Sequence, residues 1–433
     1  MLLFRLSCTV LILLVFKLLD LRCQRRISNG HRLEKLKNYL VYFVHSDKST
    51  TSYDGWTCAG TLVHSLFIVT AAACLEDVPN LYAMAGYAKL VPYSRIDVDK
   101  CTSRKQTQKK KVIYTCVPKS YELDYANVEK WSAIDIGIAK VETRFIQHAE
   151  YEKFCTVKPL RLPVNFNHAY QSPGIDAIVM GWGHLETWRK PGDQTNYNQE
   201  RPRYASVRIM NKKECKEYYK DFPELQKNID KYMICTMEKG NVNAAGVTNW
   251  SHIDFKDQCT GDDQNCRRNF KESHHWNISS VNGRRQGICQ NDHGAPLVTW
   301  IGGKEHLIGV ASVFRVNQEG KCAGPYLFTS TQCNGVFLEC VLGEYLYKNS
   351  GDKRRRSICN SPARERGFEM IHRHINWINN TYIKRKSRKE RRQKFKQVTK
   401  HNIQRTTKKS FLNEKIRIRP QISIRNLTEI KKL

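Results

Sequence analysis

Two short stretches carry the residues that bear most directly on chemistry, Thr70-Ala71-Ala72-Ala73-Cys74 and Cys289-Gln290-Asn291-Asp292-His293-Gly294-Ala295-Pro296. The second sets a carboxylate and an imidazole side by side between a cysteine and a Gly-Ala-Pro run. A third, Ala133-Ile134-Asp135-Ile136-Gly137-Ile138, embeds a carboxylate in apolar surroundings. Nucleophilic hydrolysis needs a hydroxyl, an imidazole to take its proton and a carboxylate to orient that imidazole. His293 could serve as a substitute nucleophile or a metal ligand. However, it has no recognisable base partner, and a metal needs several ligands converging at about 2 Å. A histidine filling a cleft is the simpler reading. His252, His274 and His275, near Asp262-Asp263, raise the same metal question, and an ordinary polar loop is again simpler. No metal and no cofactor are expected.

The elements that must position these groups read as strands. Tyr39 to Val44, Leu66 to Thr70, Ile134 to Val141, Ile175 to Met180 and Leu307 to Phe314 are β-branched and aromatic runs. Gly, Pro, Asn and Asp separate them, as in an all-β domain. The exception is Phe368 to Asn379, where Met370, Ile371, Ile375, Trp377 and Ile378 approximate an amphipathic helix.

The chain has 433 residues, enough for a large core. Arg5 followed by the apolar run Thr9–Phe16 reads as a secretory signal ending at Cys23, with Gln24 to Arg26 as a short propeptide-like segment. The run is shorter than the roughly 18 apolar residues of a spanning helix, and no transmembrane segment is expected. Sixteen cysteines suit an oxidising compartment, and losing Cys8 and Cys23 with the signal leaves an even 14. Sequons stand at Asn277, Asn379 and Asn426. The formal charge is +31, and Tyr382 to Leu433 holds 19 Lys+Arg against 3 Glu, a net +16 in 52 residues. The block Lys384, Arg385, Lys386, Arg388, Lys389, Arg391, Arg392 opens this segment, whose composition predicts disorder and affinity for polyanions.

From Ile27 to Asn379 the chain resembles the chymotrypsin-like (trypsin-like) serine protease family, on motifs in family order. Arg26-Ile27-Ser28-Asn29-Gly30 resembles the activation junction. Trp56 to Leu62 and Val69 to Cys74 resemble the strand pair before the catalytic histidine. Ala133 to Ile138 resembles the catalytic aspartate segment. Val179-Met180-Gly181-Trp182-Gly183, Met233-Ile234-Cys235 and Gly367 to Ile378, the last read as the closing helix, complete the series. The resemblance implies two six-stranded antiparallel β-barrels with a C-terminal helix, followed here by the basic tail. The domain then spans 27–380, with inserts near 95–118, 240–286 and 317–358, and the tail spans 381–433.

The resemblance also implies a degenerate site. Ala73 stands in the imidazole position, His293 in the nucleophile position, and Asp135 is retained. His64, nine residues before Ala73, is not placed to substitute. Asn291 and Ala295 replace glycines, which predicts a displaced oxyanion-hole N–H. Gly287 stands where the family places its charge-reading residue, with Ser312-Val313-Phe314 at the pocket edge and Phe314 expected to obstruct the entrance. Arg26, Ile27 and Asp292 keep the parts of the activation switch, in which cleavage frees an ammonium at Ile27. Expected disulfides are Cys58–Cys74, Cys215–Cys235 and Cys289–Cys359, with Cys101–Cys116 bridging a hairpin and Cys259–Cys266 a local staple. Cys322, Cys333 and Cys340 are left to pair among themselves and with Cys155. The disulfide that would cross at Ala177 and Thr299 is absent at both ends.

The functional expectation is a secreted, catalytically inactive homologue that binds an extracellular protein, a protease or its substrate, as cofactor, decoy or adaptor. A matrix- or surface-associated glycoprotein held to sulfated glycans by its tail is the second reading. An active serine-type endopeptidase is the third, and it would need His293 as nucleophile. Nucleic acid suits the charge, but the signal argues against it.

Overall fold

The computed structural model describes residues 30–45, 55–118, 121–122, 127–145, 158–248, 286–346, 375–379 and 423–424, apart from residues 77, 79, 104–107 and 191. After a short strand β1 (His31–Arg32), the first barrel comprises β2 (Leu40–His45), β3 (Cys58–His64), β4 (Phe67–Thr70), β5 (Leu81–Ala85), β6 (Lys109–Pro118) and β7 (Gly137–Val141). Its strands run antiparallel in the order β6-β5-β2-β3-β4-β7, and a β6–β7 pairing closes it. The second barrel comprises β8 (Asp176–Gly181), β9 (Arg203–Ile209), β10 (Met233–Lys239), β11 (Pro296–Ile301), β12 (Lys304–Val316) and β13 (Cys322–Ser330). These run β9-β10-β13-β12-β11-β8 and close through β8–β9. The two six-stranded barrels are those expected from the sequence, and β1 adds to the second one through β9.

Closure explains the strand sequences. Every residue of β2, Leu-Val-Tyr-Phe-Val-His, is buried, because alternate side chains fill the barrel interior while the others are covered from outside. Between β9 and β10 lie two short helices, α1 (Lys212–Glu217) and α2 (Pro223–Tyr232). The Asn211 side chain caps α1 by accepting the Lys213 N–H. Pro223 opens α2, where its missing N–H costs nothing, and Leu225 and Ile229, one turn apart, are its buried residues.

The C-terminal helix of the fold is α3 (Gly335–Leu346), directly after β13, and not the segment read as a helix from the sequence. Ile375–Asn379 is a strand, β14, antiparallel to Tyr114–Pro118 of β6. β6 is longer than its partner β5, so it leaves backbone groups on that edge for another strand, and this tertiary opportunity overrides helical periodicity. Two supposed inserts are likewise fold elements. Lys109–Pro118 is barrel strand β6, and residues 317–358 include both β13 and α3. Of the 240–286 insert, residues 240–248 form a small loop joined by a Val242–Thr248 bridge, and 249–285 lie outside the described residues.

Cys58–Cys74 and Cys215–Cys235 form as expected. Cys289 bonds Cys322 instead of Cys359, with Cα atoms 5.4 Å apart. The β12–β13 turn brings Cys322 back beside the Cys289 segment. Cys322 N–H donates to Glu186 at 2.6 Å and Trp188 N–H to Gly320 at 2.9 Å, which fastens the turn to the loop after β8. Cys101–Cys116 does not form. Cys101 is disulfide-bonded elsewhere, and Cys116 is a buried thiol. It lies seven residues into β6, about 23 Å along an extended strand from the end that Cys101's loop feeds. Cys340 is also disulfide-bonded, while Cys333 is a partly exposed thiol. Where the crossing disulfide is missing, Thr299 Oγ1 donates to Asp176 O at 2.9 Å. Cys259 and Cys266, like Cys155 and Cys359, lie outside the described residues.

Candidate functional site

The structure brings Ala73, Asp135 and His293 together where the two barrels meet. Ala73 sits in a single 3-10 turn, Ala72–Cys74, which follows β4 and is pinned to β3 by the Cys58–Cys74 bond. Asp135 follows a second such turn, Ser132–Ile134, and precedes β7. Its side chain is fully buried. The Ala73 N–H donates to Oδ1 at 2.9 Å, and the Ser312 hydroxyl, from β12, donates to Oδ2 at 2.6 Å. A carboxylate held by two donors is oriented with no imidazole in place. Burial still raises its pKa to about 6, against the lowering effect of the Ser312 and Ala73 hydrogen bonds.

His293 approaches the same carboxylate, on its Oδ2. Its Nε2 lies 3.9 Å from Asp135 Oδ2, beyond hydrogen-bond range. The ring is 2% exposed, and Nε2 has no hydrogen-bond partner among the described residues. Burial lowers the pKa to about 4. A ring buried in this state is neutral at pH 7 and inaccessible to substrate.

The backbone of the turn is better preserved than its substitutions predict. Asn291 has φ of 72° and Gly294 φ of 79°. Asparagine is among the few non-glycine residues that adopt this left-handed conformation. Here the Asn291 side chain is anchored, donating to Gly55 O at 3.2 Å and to Asn198 Oδ1 at 2.6 Å. Asn291 thus keeps the conformation a glycine would supply, contrary to the expected disruption. Ala295 is buried, its N–H donating to Asp292 O at 2.9 Å.

Asp292 is also buried, and accepts the Gly183 N–H at 2.8 Å and the Cys289 N–H at 3.1 Å. Burial raises its pKa to about 7. Arg26 and Ile27, its expected partners in activation, lie outside the described residues. So do Asn277, Asn426, the histidines of the insert and the basic block from Lys384 to Arg392. Asn379 is in β14. His64, at the end of β3, accepts the Leu66 N–H through Nδ1 at 3.3 Å and plays no part near Ala73.

The space beside Gly287, where the resemblance implies a pocket, is filled by a residue that the sequence reading missed. Tyr326 of β13 is fully buried, and a Cβ built at Gly287 would overlap its ring. The glycine therefore makes room for Tyr326, not for a ligand. Phe314 is the residue expected at the pocket entrance. It is buried in the second barrel, its ring 5.9 Å from that of Trp188. A bulky residue after Gly324-Pro325 was the only signal for Tyr326, and it gains meaning only once β13 lies beside the Gly287 segment.

Opposed pKa shifts set the pH dependence. Between pH 6.5 and 4 the unfolded chain protonates His293 while the native state does not, so this group lowers stability as pH falls. Asp135 and Asp292 act with opposite sign. Their native pKa values are raised, so they contribute stability at low pH that is lost as pH rises toward 6 and 7. His293→Gln removes only the first effect. Relative to the native protein, the variant should gain up to about 3 kcal/mol between pH 7 and pH 4, measured by urea unfolding. An unchanged difference at the two pH values would mean that His293 titrates as if exposed.

Residues 34–248 match the family model described as Trypsin, so this stretch of the chain is a trypsin-like serine protease domain. Among solved structures, human heparin binding protein is similar at 19% identity over 72% of this chain and 96% of its own, with a TM-score of 0.42. A mutant of the same human protein is similar at 18% identity over 74% of this chain and 97% of its own, with a TM-score of 0.41.

Proposed function

We propose that this protein is a secreted, catalytically inactive serine protease homologue that works by binding an extracellular protein as cofactor, decoy or adaptor. The observation that carries the reading is the state of the site. Ala73 offers the oriented carboxylate of Asp135 only a backbone N–H, while His293 is sealed at 2% exposure. Neither can take a proton from a nucleophile and return it to a leaving amine. The native protein should resist labelling by a serine-directed phosphonate and show no peptide turnover. Labelling within residues 286–296 would overturn the reading.

A second reading, polyanion binding by the tail, is favoured by its net +16 in 52 residues. Pull-downs from secreting tissue with the full chain and with a chain lacking Tyr382–Leu433 separate the two. Proteins captured by both belong to the barrels, whereas sulfated glycans captured only by the full chain belong to the tail.

The activation switch is proposed to survive in part, with cleavage after Arg26 delivering the Ile27 ammonium to Asp292. A buried carboxylate with a raised pKa is one that an arriving cation would stabilise. Secreted protein should then begin at Ile27; a chain beginning at Gln24 would sink the idea.

A further inference from the structure

The second barrel carries a cavity of about 400 Å³ whose lining includes none of Ala73, Asp135, His293 and Tyr326. It opens where the start of α1, the end of α2, the first residues of β10 and the last of β13 converge. The buried polar groups in its wall are satisfied from within the protein. The Ser330 hydroxyl donates to Gln171 Oε1 at 2.6 Å, and Gln171 Nε2 donates to Ile308 O at 3.1 Å. Met233 and Ile234 are buried alongside them, and Tyr232 is half-buried. This part of the wall therefore offers a ligand apolar contact and little polar recognition.

Lys212 is the exception. It lines the cavity half-buried, and its amine donates to the backbone oxygen of Asp230. The Asp230 carboxylate is taken instead by Lys216, at 3.0 Å. Lys212 pairs with no carboxylate among the described residues. Burial lowers its pKa, against the opposing pull of Cys333 and Asp230, which is the condition of a cation short of both water and counter-charge. Lys231 adds a second positive charge to the lining, where Asp230 is the one carboxylate. The volume exceeds what a bare inorganic anion needs and falls in the range of sites for small organic ligands.

We infer that this cavity binds a small organic monocarboxylate, with the carboxylate on Lys212 Nζ and the apolar body against Tyr232 and Met233. One half-buried cation calls for one anionic group. The apolar wall selects against a compact hydrated ion such as sulfate, whose remaining desolvation nothing in the cavity would offset. A charge-assisted hydrogen bond is roughly twice as strong as a neutral one, so the carboxylate fixes the orientation of the ligand. The ligand is a free small molecule, and its site is independent of whichever protein the barrels bind.

Cys333 makes the site readable, because its partly exposed thiol lines the same cavity and donates to Lys231 O at 3.1 Å. In the full chain, alkylation of Cys333 by the neutral reagent N-ethylmaleimide is followed by peptide mapping. The buried thiol of Cys116 serves as the measure of an intact fold. Hexanoate or 4-phenylbutyrate should slow alkylation saturably, by about tenfold or more, and the corresponding amide should need at least about tenfold higher concentration for the same effect. Lys212→Met should abolish this preference for the acid while Cys116 stays unlabelled. Equal protection by acid and amide in the native protein would overturn the inference, as would the absence of protection by either acid. A folded Lys212→Met variant that keeps the full preference would overturn it too, and the native comparison decides if that variant does not fold.

Discussion

A variant carrying both Ala73→His and His293→Ser is expected to hydrolyse no peptide, although it returns an imidazole and a hydroxyl to a carboxylate that is already oriented. Asp135 retains the Ala73 N–H and the Ser312 hydroxyl, and the turn retains its left-handed residues at Asn291 and Gly294. What is missing is a place for the substrate side chain, because Tyr326 fills the space beside Gly287. Without that anchor the scissile bond is not held in a reactive geometry, and small misplacements alone can cost a factor of about a hundred. Adding Tyr326→Gly should bring turnover to at least about a hundredfold above the detection limit that the double variant does not reach. Intact disulfides and a cooperative unfolding transition would show that the enlarged pocket is tolerated. Turnover by the double variant alone would mean that pocket closure is not the remaining barrier.

The largest loss of stability from one small substitution should come from Gly294→Ala. With φ at 79°, an added Cβ is strained wherever it points. At this position it would also overlap Thr70 Oγ1 and the backbone oxygen of Ala59. Both belong to the first barrel, whereas Gly294 precedes β11 of the second. The junction is already tight: Ala59 N–H donates to His293 O at 2.8 Å, and Thr70 Oγ1 donates to Ala59 O at 2.7 Å. Accommodating a methyl means moving one barrel against the other, at a cost above about 3 kcal/mol. Chemical denaturation of purified protein measures this. A loss under about 1 kcal/mol, the net worth of one hydrogen bond, would show that the barrels slide freely.

Much of this was legible because it is written locally. Cys58 and Cys74 flank a strand pair, Asp135 sits in its own apolar run, and the 289–296 motif is contiguous. The strand read from Ile175 to Met180 is β8 within one residue at each end. What escaped depends on non-local contacts. Tyr326 matters only through the Gly287 segment, and Cys322 reaches Cys289 only after the β12–β13 turn. Helix α3 was hidden because Val336, Phe337, Leu338, Val341 and Leu342 are all buried, which erases the amphipathic stripe that marks a surface helix. The segment ending in β14 shows the reverse error: a helical spacing was present, but an open length of β6 decided the outcome.

The closed pocket has a consequence for life among proteases. Inhibitors of this family's enzymes that act by seating one side chain in the pocket have nowhere to place it when Tyr326 is already there. Their tight binding depends on a preformed, complementary surface, and a ring from the protein's own β13 removes that surface permanently. A molecule filled in this way would not be titrated by inhibitors of that kind.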